Sequence, residues 1–398
     1  MTVKVSLIVA ILCCIFAFSL VENKIGYIFV PIIFLVSKKG FLKSASRPRF
    51  LLFWLTIFLA FYGTLLGIMN GHKLSYIIRF SGPFLAYAIF LSARPTTYYL
   101  FEHRRFVNII GLFFTIFVFI ITKSGMTNIS LAVLQGWTLT FSTTSAIGLW
   151  HYFLLSVSAT IIFDFFSSDH NKRRIFDLLT AILNITLLFL LTNTGAFTLA
   201  VLIMTISIFF HGAFSKLFLR IVTFVFLALA LDYLLLNFST GFLLSRVETF
   251  AAGDAGNATR FIQITYFVSN VKVWGHGFGA EHNFLFFENP QREVSYELFP
   301  YASELPILNI IHGSGVFGAA WLLAIFAVAT RSLILSMAKN ERNRVFYFWG
   351  WACNLVLVGS ISNPFLFSPI CMLMLAMSFN TIDAPREKLK KGTTIGAS

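Results

Sequence analysis

Apolar runs of membrane length recur along almost the whole chain, and they constrain its fold more than any other feature. They lie at roughly 5–20, 25–37, 50–69, 75–92, 106–122, 145–166, 175–192, 196–211, 218–236, 303–328, 345–361 and 366–381. A run of about 18 apolar residues crosses a bilayer as a helix. Hydrocarbon offers no partner to a free N–H or C=O, so the backbone must satisfy itself internally. The runs therefore predict an all-α, polytopic membrane bundle of about twelve transmembrane helices, a single transmembrane domain over 1–398. Composition agrees. The chain is 58% hydrophobic and only 12% charged, whereas a soluble domain is nearer half apolar and a quarter charged.

The net charge of +14 raises nucleic acid as a partner. The basic clusters are short, however, and lipid-length apolar runs separate them, so no nucleic-acid partner is expected. Their placement has a better explanation. "SKKGFLKSASRPR", "RPTTYYLFEHRR", "DHNKRR", Lys216 with Arg220, "RSLILSMAKNERNR" and the tail all fall on one side of a twelve-run chain, together with both termini. Cytoplasmic loops collect Lys and Arg, so that side is expected to be the cytoplasm. Asp164 and Asp177 flank "DHNKRR" and are expected to pair with its bases. Lys4 and the run Val5–Leu20 mimic a signal peptide, but no small-x-small cleavage site precedes a soluble domain. An uncleaved first span is expected. Cys13, Cys14, Cys353 and Cys371 all sit in apolar runs, so neither a disulfide framework nor a zinc site is indicated. No metal-ligand spacing, P-loop, nucleophile elbow or dinucleotide fingerprint is present, and no cofactor is expected.

The opposite side has short links and one long late loop, 237–303. A loop of that length between membrane helices is usually functional. Within it, "TRFIQITYFVSNVKVWGHGFG" has helical period, with Phe261, Ile264, Phe267, Val268, Val271 and Trp274 on one face and Gln263, Asn270 and Lys272 elsewhere. It reads as an amphipathic helix on the membrane surface or over the bundle, broken by "GHGFG". Arg260 opens that helix. An external arginine suits phosphate or diphosphate, because its planar fork donates two charge-assisted hydrogen bonds. The alternative is a solvated arginine beside ordinary turn glycines. Arg79 lies about four residues into its span, roughly 6 Å below the outer end. It either faces a polar cavity, with Asp232 as a partner at similar depth, or snorkels to the interface. His282 beside Glu281 would orient a general base or do nothing of the kind. Glu304 stands where the long loop re-enters the membrane, followed by Gly315 and Gly318 in "HGSGVFG". It would accept a proton from a sugar hydroxyl at a cavity mouth, or it caps a helix N-terminus.

A long late external loop carrying Arg260, Trp274 and "GHGFGA", followed by a re-entering helix with "GVFG", resembles the O-antigen polymerase and ligase superfamily. The resemblance covers the topology of most of the chain, with residue-level matches confined to about Arg246–Gly318. It implies a GT-C-like bundle in the bacterial inner membrane and a metal-independent periplasmic glycosyltransferase. Its donor and acceptor would be undecaprenyl-diphosphate-linked glycans, with membrane lipid and a chain-length regulator protein as further partners. Ligases of the superfamily typically carry histidine eleven residues before the first glycine of the G-x-x-G. Counting back eleven from Gly315 gives Glu304, and "HN" (His282-Asn283) lies far upstream, so the chain is closer to the polymerases. Relatives commonly show Ser-Arg where this chain has Asn193-Thr194, which leaves one phosphate contact to Arg79 or Lys123.

The expectation is thus a polymerase with Glu304 and Arg260 as catalytic residues. Arg246, Arg79, His282, Arg292 and Trp274 would bind substrate. The rivals are a ligase that moves glycan to lipid A core and a flippase. Transporters tend to show internal repeats and paired broken helices, and neither is evident here.

Overall fold

The computed structural model describes residues 47–92, 94–123, 128–129, 139–140, 143–167, 175–191, 263–281, 305–337, 343–354 and 369–382. Apart from a two-residue antiparallel pairing of β1 (Asn128–Ile129) with β2 (Leu139–Thr140), their regular structure is helical. The helices are α1 (Arg47–Met69), α2 (Leu74–Ser92), α3 (Arg94–Glu102), α4 (Arg104–Lys123), α5 (Thr143–Ser167), α6 (Ile175–Leu191), α7 (Pro306–Met337), α8 (Arg344–Cys353) and α9 (Pro369–Ile382).

Three helices are long and apolar enough to cross a membrane by length and composition: Arg49–Met69, Leu74–Leu91 and Pro306–Met337. The apolar runs at 5–20, 25–37, 196–211 and 218–236 lie outside the described residues. α1 is apolar on both faces. Leu59 and Ala60 are buried, while Phe50, Trp54, Phe58, Phe61 and Leu65 are exposed. A helix apolar all round belongs in a core or in lipid, and here one face is buried in the bundle while the other is exposed. α1 ends where Gly71 takes φ 74°, with Gly71 N–H bonded to Ile68 O and His72 N–H to Gly67 O. That is the Schellman arrangement, which gives the last carbonyls partners and turns the chain sharply into α2.

α1 packs on α2 and α7, and α2 packs on α9. α7 also packs on α8 and α9, and α8 joins them to α5, which meets α4 and α6. Aromatics fill the seams. Phe163 stacks on Phe348 at 4.0 Å, and Trp321 meets Phe84 and Tyr87 edge-on while donating to Thr56 Oγ1 at 2.9 Å. Between α4, α5 and α6 the contacts are polar. Asn108 Oδ1 accepts from Ser158 Oγ at 2.8 Å and from Asn184 Nδ2 at 3.2 Å, and Thr115 donates to Asn184 Oδ1 at 3.0 Å. Hydrogen bonds of this kind hold helices together where lipid removes the hydrophobic drive to associate.

One end of the bundle gathers charge. Arg49 donates to Asn380 at 2.9 Å, and Asn380 donates to Thr97 at 3.1 Å. Asp164 pairs with Arg104 at 2.5 Å and Asp177 with Arg105 at 3.0 Å. α4 starts beside the end of α5 and the start of α6, so its two arginines are partners of these aspartates; the "DHNKRR" bases expected to pair with them lie outside the described residues. These contacts put the start of α1, the α3–α4 turn, the end of α5, the start of α6 and the end of α9 on one side, the grouping that the alternation of basic loops predicts. α3 falls within a segment read from sequence as a loop. It forms because Tyr98 and Phe101 pack on Phe346 at 5.1 and 4.9 Å and bury Thr97 and Leu100.

Candidate functional site

The opposite end is organised by a break in α7. Gly315 takes φ 58° and ψ −135°, outside any helical geometry. The break frees backbone groups in the middle of a membrane-length helix, where an unmet group is costly. The segment 271–280 supplies their partners. His276 N–H donates to His312 O and Gly277 N–H to Gly313 O, each at 2.8 Å, and Val316 N–H donates to Val273 O at 2.8 Å. On the other flank Phe278 N–H donates to Gly63 O of α1 at 2.8 Å. An irregular, turn-containing stretch of the chain thus lies wedged between α1, α2 and the broken helix.

Glycine is required at the closest approach. Gly277 has φ 88°, and a Cβ there would overlap the backbone of Gly67. Gly315 has φ 58°, and a Cβ there would overlap Val273 O. Phe278, fully buried, anchors the wedge. Its ring stacks on Phe84 at 5.3 Å and contacts Phe80 at 4.9 Å. A Cβ on Gly63 or Gly313 would crowd that ring.

Polar side chains close the outer edge. His276 O accepts from Asn70 Nδ2 and from His72 Nε2–H, both at 2.8 Å. His276 Nε2–H in turn donates to Asn270 O at 2.7 Å. The His276 ring lies flat on buried His312, with centroids 4.1 Å apart. Lys73 pairs with Glu281 at 3.1 Å, both exposed, and the hydrogen bond to that carboxylate raises the ammonium pKa above its ordinary value. Tyr62 OH donates to Trp274 O at 2.8 Å.

The helix expected from Arg260 to the "GHGFG" break ends early: among the described residues it covers 263–269 and gives way at Asn270. Its orientation also reverses the usual one. Gln263 is fully buried and Phe267 faces His312 at 5.2 Å, whereas Ile264 and Val268 are exposed. Most of the apolar face therefore turns away from the bundle.

Of the residues expected from sequence to be catalytic or to bind substrate, Trp274 and Arg79 are among the described residues. Trp274 is exposed, with its ring 6.1 Å from Phe317. Arg79 is exposed about one and a half turns from the start of α2. Arg246, Arg260, His282, Arg292, Glu304 and Asp232 lie outside the described residues. Phe267 and His312 are in contact, with ring centroids 5.2 Å apart. The sequence reading missed His72, His276 and His312, and it missed Gly63 and Gly67. The four-residue spacing Gly63, Gly67, Gly71 is a small-xxx-small pattern that marks close backbone approach in membranes, and it was there to be read. Among the described residues no group of three His, Cys, Asp or Glu is placed to hold a metal. No protein-family model, curated protein or solved structure matches this chain.

Proposed function

We propose that the chain is a bacterial inner-membrane glycosyltransferase that polymerises undecaprenyl-diphosphate-linked repeat units on the periplasmic side. Its fold would be a GT-C-like bundle of about twelve membrane helices, with both termini cytoplasmic. The observation that best supports this reading is the backbone seam between segment 271–280 and α7. A late external loop bonded into the bundle directly beside a re-entering helix offers what group transfer needs, namely reacting groups on rigid elements rather than on a free loop.

In this reading Arg260, with Arg246, Arg292 and Arg79, holds the diphosphate and stabilises the charge that develops on it. Glu304 takes the proton of the acceptor hydroxyl. The acceptor oxygen bonds to the donor sugar's anomeric carbon, the bond from that carbon to the diphosphate breaks, and undecaprenyl diphosphate leaves with the electron pair. His282 orients the acceptor side, and Trp274 packs against lipid or sugar. A deletion strain tests the reading through its lipopolysaccharide ladder. Loss of polymer with a single repeat still on the core is expected. Loss of every repeat from the core would overturn the polymerase reading in favour of a ligase or flippase.

A further inference from the structure

The depth at which segment 263–281 is bonded does not fit a loop in water. Phe278 N–H meets Gly63 O, six residues before the end of α1, or about 9 Å down its axis. Val273 O meets the N–H of Val316, ten residues into α7, or about 15 Å from its start. Phe278 reaches Phe84, ten residues into α2. All three neighbours are the helices long and apolar enough to cross a membrane.

The other face of the segment is exposed and carries five large apolar side chains beside the polar Thr265, Ser269, Asn270 and Lys272. Ile264, Val268, Val271, Val273 and Trp274 point away from the bundle, Val268 at 66% and Trp274 at 63% exposure. This face is continuous with the outward surface of α1. Trp274 lies 6.1 Å from Phe317, which lies 5.0 Å from exposed Phe58. Irregular backbone survives at membrane depth only where protein satisfies it, and here α1, α7, Tyr62, Asn70 and His72 do so. Lys272, exposed between Val271 and Val273, has a stem long enough to carry its ammonium to the headgroups.

We infer that segment 263–281 is a re-entrant element of one bilayer leaflet, with Ile264, Val268, Val271, Val273 and Trp274 immersed in acyl chains. It is a fixed, lipid-facing wall of the bundle and not part of a water-exposed loop.

The test uses the full chain reconstituted in phosphatidylcholine vesicles, with and without bromine on the acyl chains. The chain has seven tryptophans, so the emission of Trp274 is taken as the difference between wild type and Trp274→Phe. Bromine in the acyl chains is expected to quench that component strongly, and aqueous iodide to leave it nearly untouched. Quenching by iodide without quenching by bromine would overturn the inference. Quenching by neither would overturn it as well, since protein would then cover the face. Val268→Cys carrying a polarity-sensitive fluorophore gives a second reading: emission at an apolar wavelength supports immersion, and emission at a water-like wavelength opposes it.

Discussion

At the residue scale, backbone room is the scarce quantity. Gly277 sits against the Gly67 backbone with φ 88°. Gly277→Ala must therefore strain both its own dihedral and its neighbour, at a cost of about 1–3 kcal/mol each for backbone strain and overpacking. Gly82, on the same bundle, meets nothing within 4 Å. Gly82→Ala should be neutral or stabilising by up to about 1 kcal/mol, the helix-propensity difference. Thermal unfolding of the two variants in one detergent checks the contrast, and equal melting temperatures would contradict the seam. The proposed chemistry belongs to this scale too. If Glu304 is the base, Glu304→Gln should slow polymerisation in vitro by about 10²–10⁴ with lipid-linked substrate still bound. If it only caps a helix, turnover should stay near normal, since a cap is worth about 0.3–2 kcal/mol of stability and none of the chemistry. Arg260→Lys keeps the charge but loses the fork; a charged hydrogen bond worth about 1.5–3 kcal/mol predicts a fall of roughly ten- to a hundred-fold. Full activity of Arg260→Ala would remove the diphosphate role.

At the scale of elements, the break in α7 and the wedge in it are one structure made from two distant stretches. A straight α7 would bond its own His312 and Gly313 carbonyls and leave segment 271–280 without partners. Gly315→Ala resists φ 58° and favours the straight helix. Amide exchange read by mass spectrometry should then show protection lost across 273–279 while α4, α5 and α6 keep theirs. Unchanged protection in the segment would mean that α7 does not hold it. The far end answers to different forces. The Arg104–Asp164 pair at 2.5 Å is mostly buried, so Asp164→Asn should lower thermal stability by an amount on the order of 1–3 kcal/mol while the seam's exchange protection stays as it was.

At the scale of the molecule, the polar contacts of Arg49, Thr97, Arg104, Asp164, Asp177 and Asn380 define one end, and the glycine seam lies toward the other. The charge rule assigns the first end to the cytoplasm. Cysteines introduced at Asn257 and Arg292 should then react with an impermeant reagent on whole cells, while cysteines introduced within 38–46 and 168–174 should not. Protection of both Asn257→Cys and Arg292→Cys would sink this topology.

The sequence by itself determined the helices that lipid-length apolarity dictates. The runs at 50–69, 75–92, 106–122, 145–166, 175–192 and 366–381 match α1, α2, α4, α5, α6 and α9 within a few residues, because burying a backbone in hydrocarbon leaves a local and strongly apolar signature. It was weaker where tertiary contacts make the helix. α3 is nine residues of mixed character held by Phe346 and Trp349, and α7 runs on past 328 to Met337 because helix propensity does not stop at the edge of lipid. The candidate site divides in the same way. Its glycines and Trp274 were visible as composition. What joins them was not, since the bonds from Phe278 to Gly63 and from Val273 to Val316 link backbone groups far apart in the chain and leave no pattern in side chains. Only the tertiary structure decided that Gln263 turns inward and Val268 outward. Amphipathic period fixes which residues share a face, whereas the surroundings, protein on one side and an apolar exterior on the other, decide which way that face points.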